Sequence, residues 1–170
     1  MMSKPDIIIG IDPDVNKSGV AQLTVAGREM GVFSLSFPEL LDYLQSMRQR
    51  EMAEGSRVLV VVEASWRIST NWHIKHKDNA RIVASKGKDA GRCHEVGRKI
   101  VECARHYGLE VTEQLPLKKI WKGKDGKITD EEIKVFMPIK GRTNQEERDA
   151  ALLAWNEAGF PIRIRTFKTK

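Results

Sequence analysis

Ile7-Ile8-Ile9-Gly10-Ile11-Asp12 is an uninterrupted apolar run that ends on an acid, and Val58-Leu59-Val60-Val61-Val62-Glu63 repeats the arrangement fifty-one residues on. The second run is rich in Val and free of polar alternation, as expected of a central strand buried on both faces by helices. A carboxylate closing such a strand is partly desolvated, so it must be protonated, paired or metal-bound. Two strands ending this way argue for one shared cation. Two further acids, Glu146 and Asp149, stand at i and i+3 in a helical stretch and therefore share a face.

Outward from these runs, residues 18 to 25 read as a partly alternating strand and 29 to 35 as a third, joined by a turn at Gly27. The first three strands thus make an antiparallel meander. Ser36 with Glu39 reads as a capping box, Pro38 lies in the first turn, and Leu40, Leu41, Leu44 and Met47 recur at helical spacing. They predict a helix to about residue 53, ended by Gly55. Past the strand at 57 to 63, Val96, Ile100, Ala104 and Tyr107 give a crossover helix its apolar face, with Gly108 as its C′ residue and a strand from Leu109 to Leu115 after it. Thr129 and Glu132 form a second capping box, opening a short helix that Pro138 halts, and residues 144 to 158 form the last helix before Gly159. The predicted order is β-β-β-α-β-α-β-α-α, without internal repeats.

A length of 170 residues suits one domain, residues 1 to 170, closing on a short basic tail from 159 to 170. The formal charge of +6 suggests an anionic partner. Between Trp66 and Lys99 nine Lys and Arg stand against three acids, so this one segment accounts for the whole net charge. The opening residues lack the apolar stretch of a secretory signal, and no run approaches the roughly 20 apolar residues of a membrane span. A cytoplasmic protein is expected, with no membrane attachment. Cys93 and Cys103 lie about 15 Å apart along one predicted helix and are expected as free thiols.

This order of elements, with acids on the first and fourth strands and on the last helix, resembles the α/β ribonuclease H-like fold. That fold has a mixed five-stranded sheet, antiparallel over the first three strands and parallel over the fourth and fifth, flanked by helices. The motifs are similar to those of RuvC-type Holliday junction resolvases. Gly10-Ile11-Asp12-Pro13, with Gly19 seven residues after Asp12, resembles that family's opening Gly-Ile-Asp-Pro-Gly; Asp14 stands where the family usually has glycine. Val62-Glu63-Ala64-Ser65-Trp66 resembles the second motif, whose acid is followed three residues later by an aromatic. Glu146-Glu147-Arg148-Asp149-Ala150-Ala151-Leu152-Leu153-Ala154 looks like the closing helix, usually Asp-Ala-Ala-Asp-Ala-Leu-Ala. Glu146 replaces the usual Asp, and Glu147 competes for the role if the helix is rotated. The resemblance covers residues 6 to 158. It implies a Mg²⁺-dependent endonuclease, commonly a homodimer, that cuts paired strands of a four-way DNA junction, with Mn²⁺ expected to substitute.

Phosphodiester hydrolysis by two metal ions about 3.5–4 Å apart needs several oxygen ligands, because Mg²⁺ prefers octahedral oxygen coordination and retains waters. Asp12 is assigned the bridging role, Glu63 one ion, and Glu146 or Asp149 the other. Singly, each acid has a plainer reading as a turn, cap or helix-dipole residue; their joint occurrence on matching elements favours a site. Trp66, just past the metal end of its strand, is a candidate to stack on an unpaired base, with a core or dimer-interface position as the alternative. Arg67, Trp72, Lys75, Lys77, Arg81, Lys86, Lys88 and Arg92 extend it into a basic, aromatic-interleaved surface suited to tracking phosphates. Lys118, Lys119, Lys122, Lys124 and Lys127 form a second basic cluster around a Gly-containing turn. One of them is expected at the scissile phosphate, as a family lysine is, but the register does not select which. His73 and His76 have zinc-ligand spacing without a second pair to complete a site, and Trp121 and Trp155 are expected to pack.

Other readings of the same residues exist. A nuclease of this fold acting on RNA, of the pre-ribosomal RNA processing type, would carry the same acids. A catalytically silent nucleic-acid binder would have no reason to cluster negative charge beside a polyanion. Actin-like ATPases open with a similar strand but need two such domains, and no Walker-type glycine loop is present. For the expected homodimer, the helix from about Arg92 to Tyr107 is the candidate interface, since Val96, Ile100, Val101, Cys103 and Ala104 make its apolar surface wide.

Overall fold

The computed structural model describes residues 3–68 and 75–163. Strands β1 (Ile7–Asp12), β2 (Ser18–Thr24), β3 (Glu29–Leu35), β4 (Val58–Glu63) and β5 (Glu110–Gln114) form one sheet in the order β3-β2-β1-β4-β5. β1 pairs antiparallel with β2, and β2 with β3, whereas β4 runs parallel to β1 and β5 parallel to β4. The helices are α1 (Phe37–Glu54), α2 (Ala80–His106), α3 (Asp130–Ile133) and α4 (Gln145–Glu157). This is the mixed sheet of the ribonuclease H-like fold, with the elements in the predicted order. Both predicted capping boxes form, at Ser36/Glu39 and Thr129/Glu132. The helix opened by Thr129 is shorter than the sequence suggests, a single turn ending at Ile133, five residues before Pro138 can act as a stop.

Alternation along the strands sorts their side chains into two cores. Ile7, Ile9 and Ile11 with Val58, Val60 and Val62 pack under α1 and α2, meeting Leu40, Leu44, Ile100, Val101 and Ala104. Ile8, Leu59 and Val61 face the other way, onto Ala150, Ala151, Leu153, Ala154 and Trp155 of α4. Gly10, Asp12 and Glu63 have the same parity as this second set, so both strand-end acids look toward α4. Trp155 is buried there and Trp121 stacks on Phe136, both packing as expected.

Two glycines let α4 settle against the sheet. A Cβ on Gly10 would lie 2.1 Å from the Ala150 carbonyl oxygen, and one on Gly19 the same 2.1 Å from the Glu146 carbonyl oxygen. Both obstacles are helix backbone, which cannot swing aside as a side chain can.

α2 has 27 residues, about 40 Å of helix, against β-strands of about 20 Å, so it overhangs the sheet. Its buried residues are Gly97, Ile100, Val101 and Ala104, all in the C-terminal part. Gly97 is level with the strand ends, because a Cβ there would meet the Trp66 ring at 2.3 Å and Pro13 at 3.2 Å. The crossover from β4 to parallel β5 makes α2 run back along the sheet. Its first half therefore stands beyond the carboxyl edge that carries Asp12 and Glu63. One expectation is corrected here: Ile100, Val101 and Ala104, with Val96 alongside, are spent on the core beneath α2 and are not an apolar surface left over for a second subunit. Cys93 and Cys103 are free thiols, both half-buried. Among the described residues no helix is long and apolar enough to cross a membrane.

The close approach of α4 makes a definite demand on Gly10. In urea unfolding, Gly10→Ala should lose about 1–3 kcal/mol or more, the usual cost of forcing atoms into a filled core. Gly31→Ala, with nothing within 4 Å of the added methyl, should stay within about 0.5 kcal/mol of the parent. Equal midpoints for the two variants would show that α4 does not lie on β1 in this way.

Candidate metal centre and nucleic-acid surface

β1 and β4 are adjacent and parallel, with Ile11 opposite Val62, so the next residues, Asp12 and Glu63, end side by side at the carboxyl edge of the sheet. Each closes a row of five buried residues and is itself half-buried. The third and fourth acids come from α4, whose rotation is fixed at its first turn. The Asn144 side chain accepts from the Glu147 backbone N–H at 2.8 Å, and the Glu147 carboxylate accepts from the Asn144 N–H at 3.1 Å. Ser34 on β3 donates to Glu147 at 2.8 Å and accepts from Asn144 Nδ2 at 2.8 Å. Glu147 is thereby occupied in the cap, whereas the Glu146 charge is felt at Asp12.

Asp149 is the most connected of the four. Its Oδ2 accepts from Lys127 Nζ at 2.8 Å and its Oδ1 from Gln145 Nε2 at 2.8 Å. Arg148 braces both partners. It donates from Nε to the Ile128 carbonyl, next to Lys127, at 3.0 Å, from Nη2 to Gln145 Oε1 at 3.0 Å, and from Nη1 to the Thr143 carbonyl at 2.7 Å. Lys127 is the member of the second basic cluster that reaches the acids. Lys118, Lys119, Lys122 and Lys124 are exposed, although Lys119 still exerts a field at Glu63. Sequence reasoning had no register with which to choose Lys127 and missed Gln145 and Arg148. The available signal was position, since Lys127 directly precedes the buried Ile128 and the Thr129 cap that anchor it.

The electrostatics follow from this crowding. Burial first, then the charges of Glu63, Asp149 and Glu146, push the Asp12 carboxyl well above the usual carboxylate range, with Lys127 pulling the other way. Glu63 is raised by burial and then by Asp149, against Lys127 and Lys119. Burial opposes the charge on Lys127, but the hydrogen bond it donates to Asp149 and the charges of Asp149, Asp12 and Glu63 outweigh it and hold the ammonium above its ordinary value. The cluster thus carries more negative charge than its one close ammonium offsets. Its donors are all carboxylate oxygens, the chemistry that suits Mg²⁺. Among the described residues, no three acid, His or Cys side chains are drawn together closely enough to hold an ion as they stand.

Two basic segments border the acids. Arg81, Lys88 and Arg92 are exposed on the overhanging half of α2, Lys75 and Lys77 are exposed just before it, and Lys86 pairs with Asp78 at 2.6 Å. Lys75 approaches Asp125 at 3.9 Å, bringing this segment beside the turn that carries Lys122, Lys124 and Lys127. Arg67 is exposed beside β5, its guanidinium donating to the Glu113 carbonyl at 3.4 Å. Trp66 is half-buried, its six-membered ring set against Gly97. His76 is exposed, while Trp72 and His73 lie outside the described residues.

No protein-family model matches this sequence, and no curated protein matches it. Among solved structures, T. thermophilus RuvC in complex with a Holliday junction substrate is similar over 87% of this chain and 89% of that one, at 14% identity and a TM-score of 0.44. At that distance the likeness carries no argument about the site; strand order and direction identify the fold.

Because Asp12 and Glu63 titrate above their unfolded values, the folded chain binds more protons than the unfolded one in that window, and stability falls as pH rises through it. In EDTA at pH 7, Asp12→Asn should therefore melt higher than the parent, by about 2–4 °C for each kcal/mol of repulsion relieved. The difference should shrink as pH drops into the range where Asp12 is protonated anyway. A lower melting temperature at pH 7 would contradict this picture of the cluster.

Proposed function

We propose that this chain is a metal-dependent endonuclease that hydrolyses phosphodiester bonds in DNA, with four-way junctions and other branched forms as its substrates. The observation that carries the reading is the gathering of Asp12, Glu63, Asp149 and Glu146 from two strand ends and one helix around a single close ammonium. Apart from a cation site, nothing in the fold calls for that concentration of carboxylates, and an acidic cluster flanked by lysines and arginines is a poor design for binding DNA alone. Asp12 is the central ligand, beside Glu63 along the sheet edge and facing Asp149 and Glu146 across from it. Mg²⁺ ions bound there, or Mn²⁺ in their place, would supply a water activated for attack and stabilise charge on the leaving oxygen.

The chain's own residues do the rest. Gln145 and Arg148 hold the Asp149 carboxylate in orientation. Lys119 and Lys127 supply positive potential at the acids, where a phosphate must come close to four carboxylates. The overhanging half of α2 and the segment before it present Lys75, Lys77, Arg81, Lys88 and Arg92 beyond the same edge, suited to following a phosphate backbone into the site. Cutting two strands symmetrically needs two such centres, and a C₂ homodimer is the simplest source of the second.

Two outcomes test this. Asp12→Asn should abolish cleavage of a four-way junction in Mg²⁺ while binding it as tightly as the parent or more so, because a metal ligand weakens as negative charge near phosphate is removed; near-parental turnover would remove the central claim. Separately, the combined change of Lys75, Lys77, Arg81 and Lys88 to Ala should flatten the plot of log K against log salt by up to about 0.9 for each phosphate no longer neutralised. An unchanged slope would place the DNA on another surface.

A further inference from the structure

The acids of this site are collected but not yet arranged as a ligand set, and the reason is visible at Asp149. Both of its oxygens are occupied, Oδ1 by Gln145 and Oδ2 by Lys127, each at 2.8 Å. These two partners are held very differently. The Gln145 amide is itself pinned, its oxygen accepting from Arg148 Nη2 at 3.0 Å while Arg148 is anchored to the Thr143 and Ile128 carbonyls. Lys127 reaches in on a flexible stem, and among the described residues Asp149 is the one hydrogen-bond acceptor for its Nζ. Its side chain keeps 31% of its exposure, against 16% for Asp149, so it has solvent to retreat into.

We propose that Lys127 is the resident counter-ion of the acid cluster and that an arriving divalent cation must displace it from Asp149, so that metal loading turns its ammonium out toward the substrate phosphate. The inference rests on the metal-dependent reading above. The chemistry favours exchange over coexistence. An ammonium and a divalent cation competing for one carboxylate oxygen repel one another, and the divalent ion gains Asp12 and Glu63 as well, which lie within the field of Lys127 but are not hydrogen-bonded to it. Gln145 can stay on Oδ1 throughout, keeping the carboxylate plane fixed while Oδ2 changes partner. The exchange transfers no proton and changes no covalent bond: the ammonium leaves protonated and the divalent ion takes its place, so the acid cluster gains one positive charge. It also sets an order of events, with metal entering first and Lys127 becoming available to an anionic ligand only afterwards.

The test is the structure of the full chain crystallised with and without Mn²⁺, together with calorimetric titration of Mn²⁺ into the parent and into Lys127→Met. The expected result is Mn²⁺ at Asp12 with Lys127 Nζ beyond hydrogen-bonding distance of Asp149, the pair re-formed in the metal-free crystal, and several-fold tighter Mn²⁺ binding by Lys127→Met. Mn²⁺ bound while Lys127 remains on Asp149, or equal affinities for the two proteins, overturns the displacement and leaves the metal-nuclease reading standing. No Mn²⁺ at the acids at millimolar concentration overturns both.

Discussion

The contact on which the site depends is the backbone-to-backbone approach of α4 to β1 and β2. Gly10 and Gly19 have no side chains, so the Ala150 and Glu146 carbonyls can sit where any Cβ would collide with them. That approach brings Asp149 and Glu146 of the helix near enough to the sheet edge for their charges to act on Asp12. The cap formed by Asn144, Glu147 and Ser34 then fixes which face of the helix is presented. Distance comes from missing atoms and rotation from a hydrogen-bonded cap. Neither involves the acids themselves, so the scaffold can tolerate the repulsion the acids create.

That repulsion acts on the fold in turn. Burial, and then the crowding of four carboxylates against one half-buried ammonium, leave Asp12 and Glu63 titrating high, so the site weakens the fold it sits in. Stability given up at one point is expected where binding or catalysis is the purpose. The surrounding structure compensates through two close-packed cores on either face of the sheet and through Arg148, which ties the Lys127 segment, the α4 cap region and Gln145 together.

The order of elements and the placing of the candidate acids on two strand ends and a helix were legible in the sequence because each rests on a local rule: apolar runs with terminal acids, capping boxes, and an i, i+3 pair. The arrangement of the strands came with the resemblance to the ribonuclease H-like fold, and α2 begins at Ala80, twelve residues before the Arg92 that its apolar face suggests, because its overhanging half packs on no core and leaves no apolar period to read. What was not legible depends on three-dimensional register. Lys127 could not be told from four neighbouring lysines, since the turn at Gly123 to Lys127 and the anchoring of Ile128 decide which of them faces inward. The apolar face of α2 was read as wider than one sheet contact requires, because periodicity shows that a face is apolar without showing what covers it; here the sheet and α1 cover it. Trp66 shows the same limit, since its position past Glu63 is a sequence property whereas its ring lying against Gly97 is a property of the packing of α2.

The central claim is that these carboxylates form one metal-dependent hydrolytic centre for branched DNA. The most direct measurement is a cleavage panel of four-way junction, fork, linear duplex DNA, RNA and RNA–DNA hybrid, each incubated with Mg²⁺, with Mn²⁺ and with EDTA. The account predicts cleavage of the junction and fork in either metal, little on linear duplex or RNA, and none in EDTA. Cleavage that persists in EDTA, or no cleavage of any nucleic acid in either metal, would contradict it.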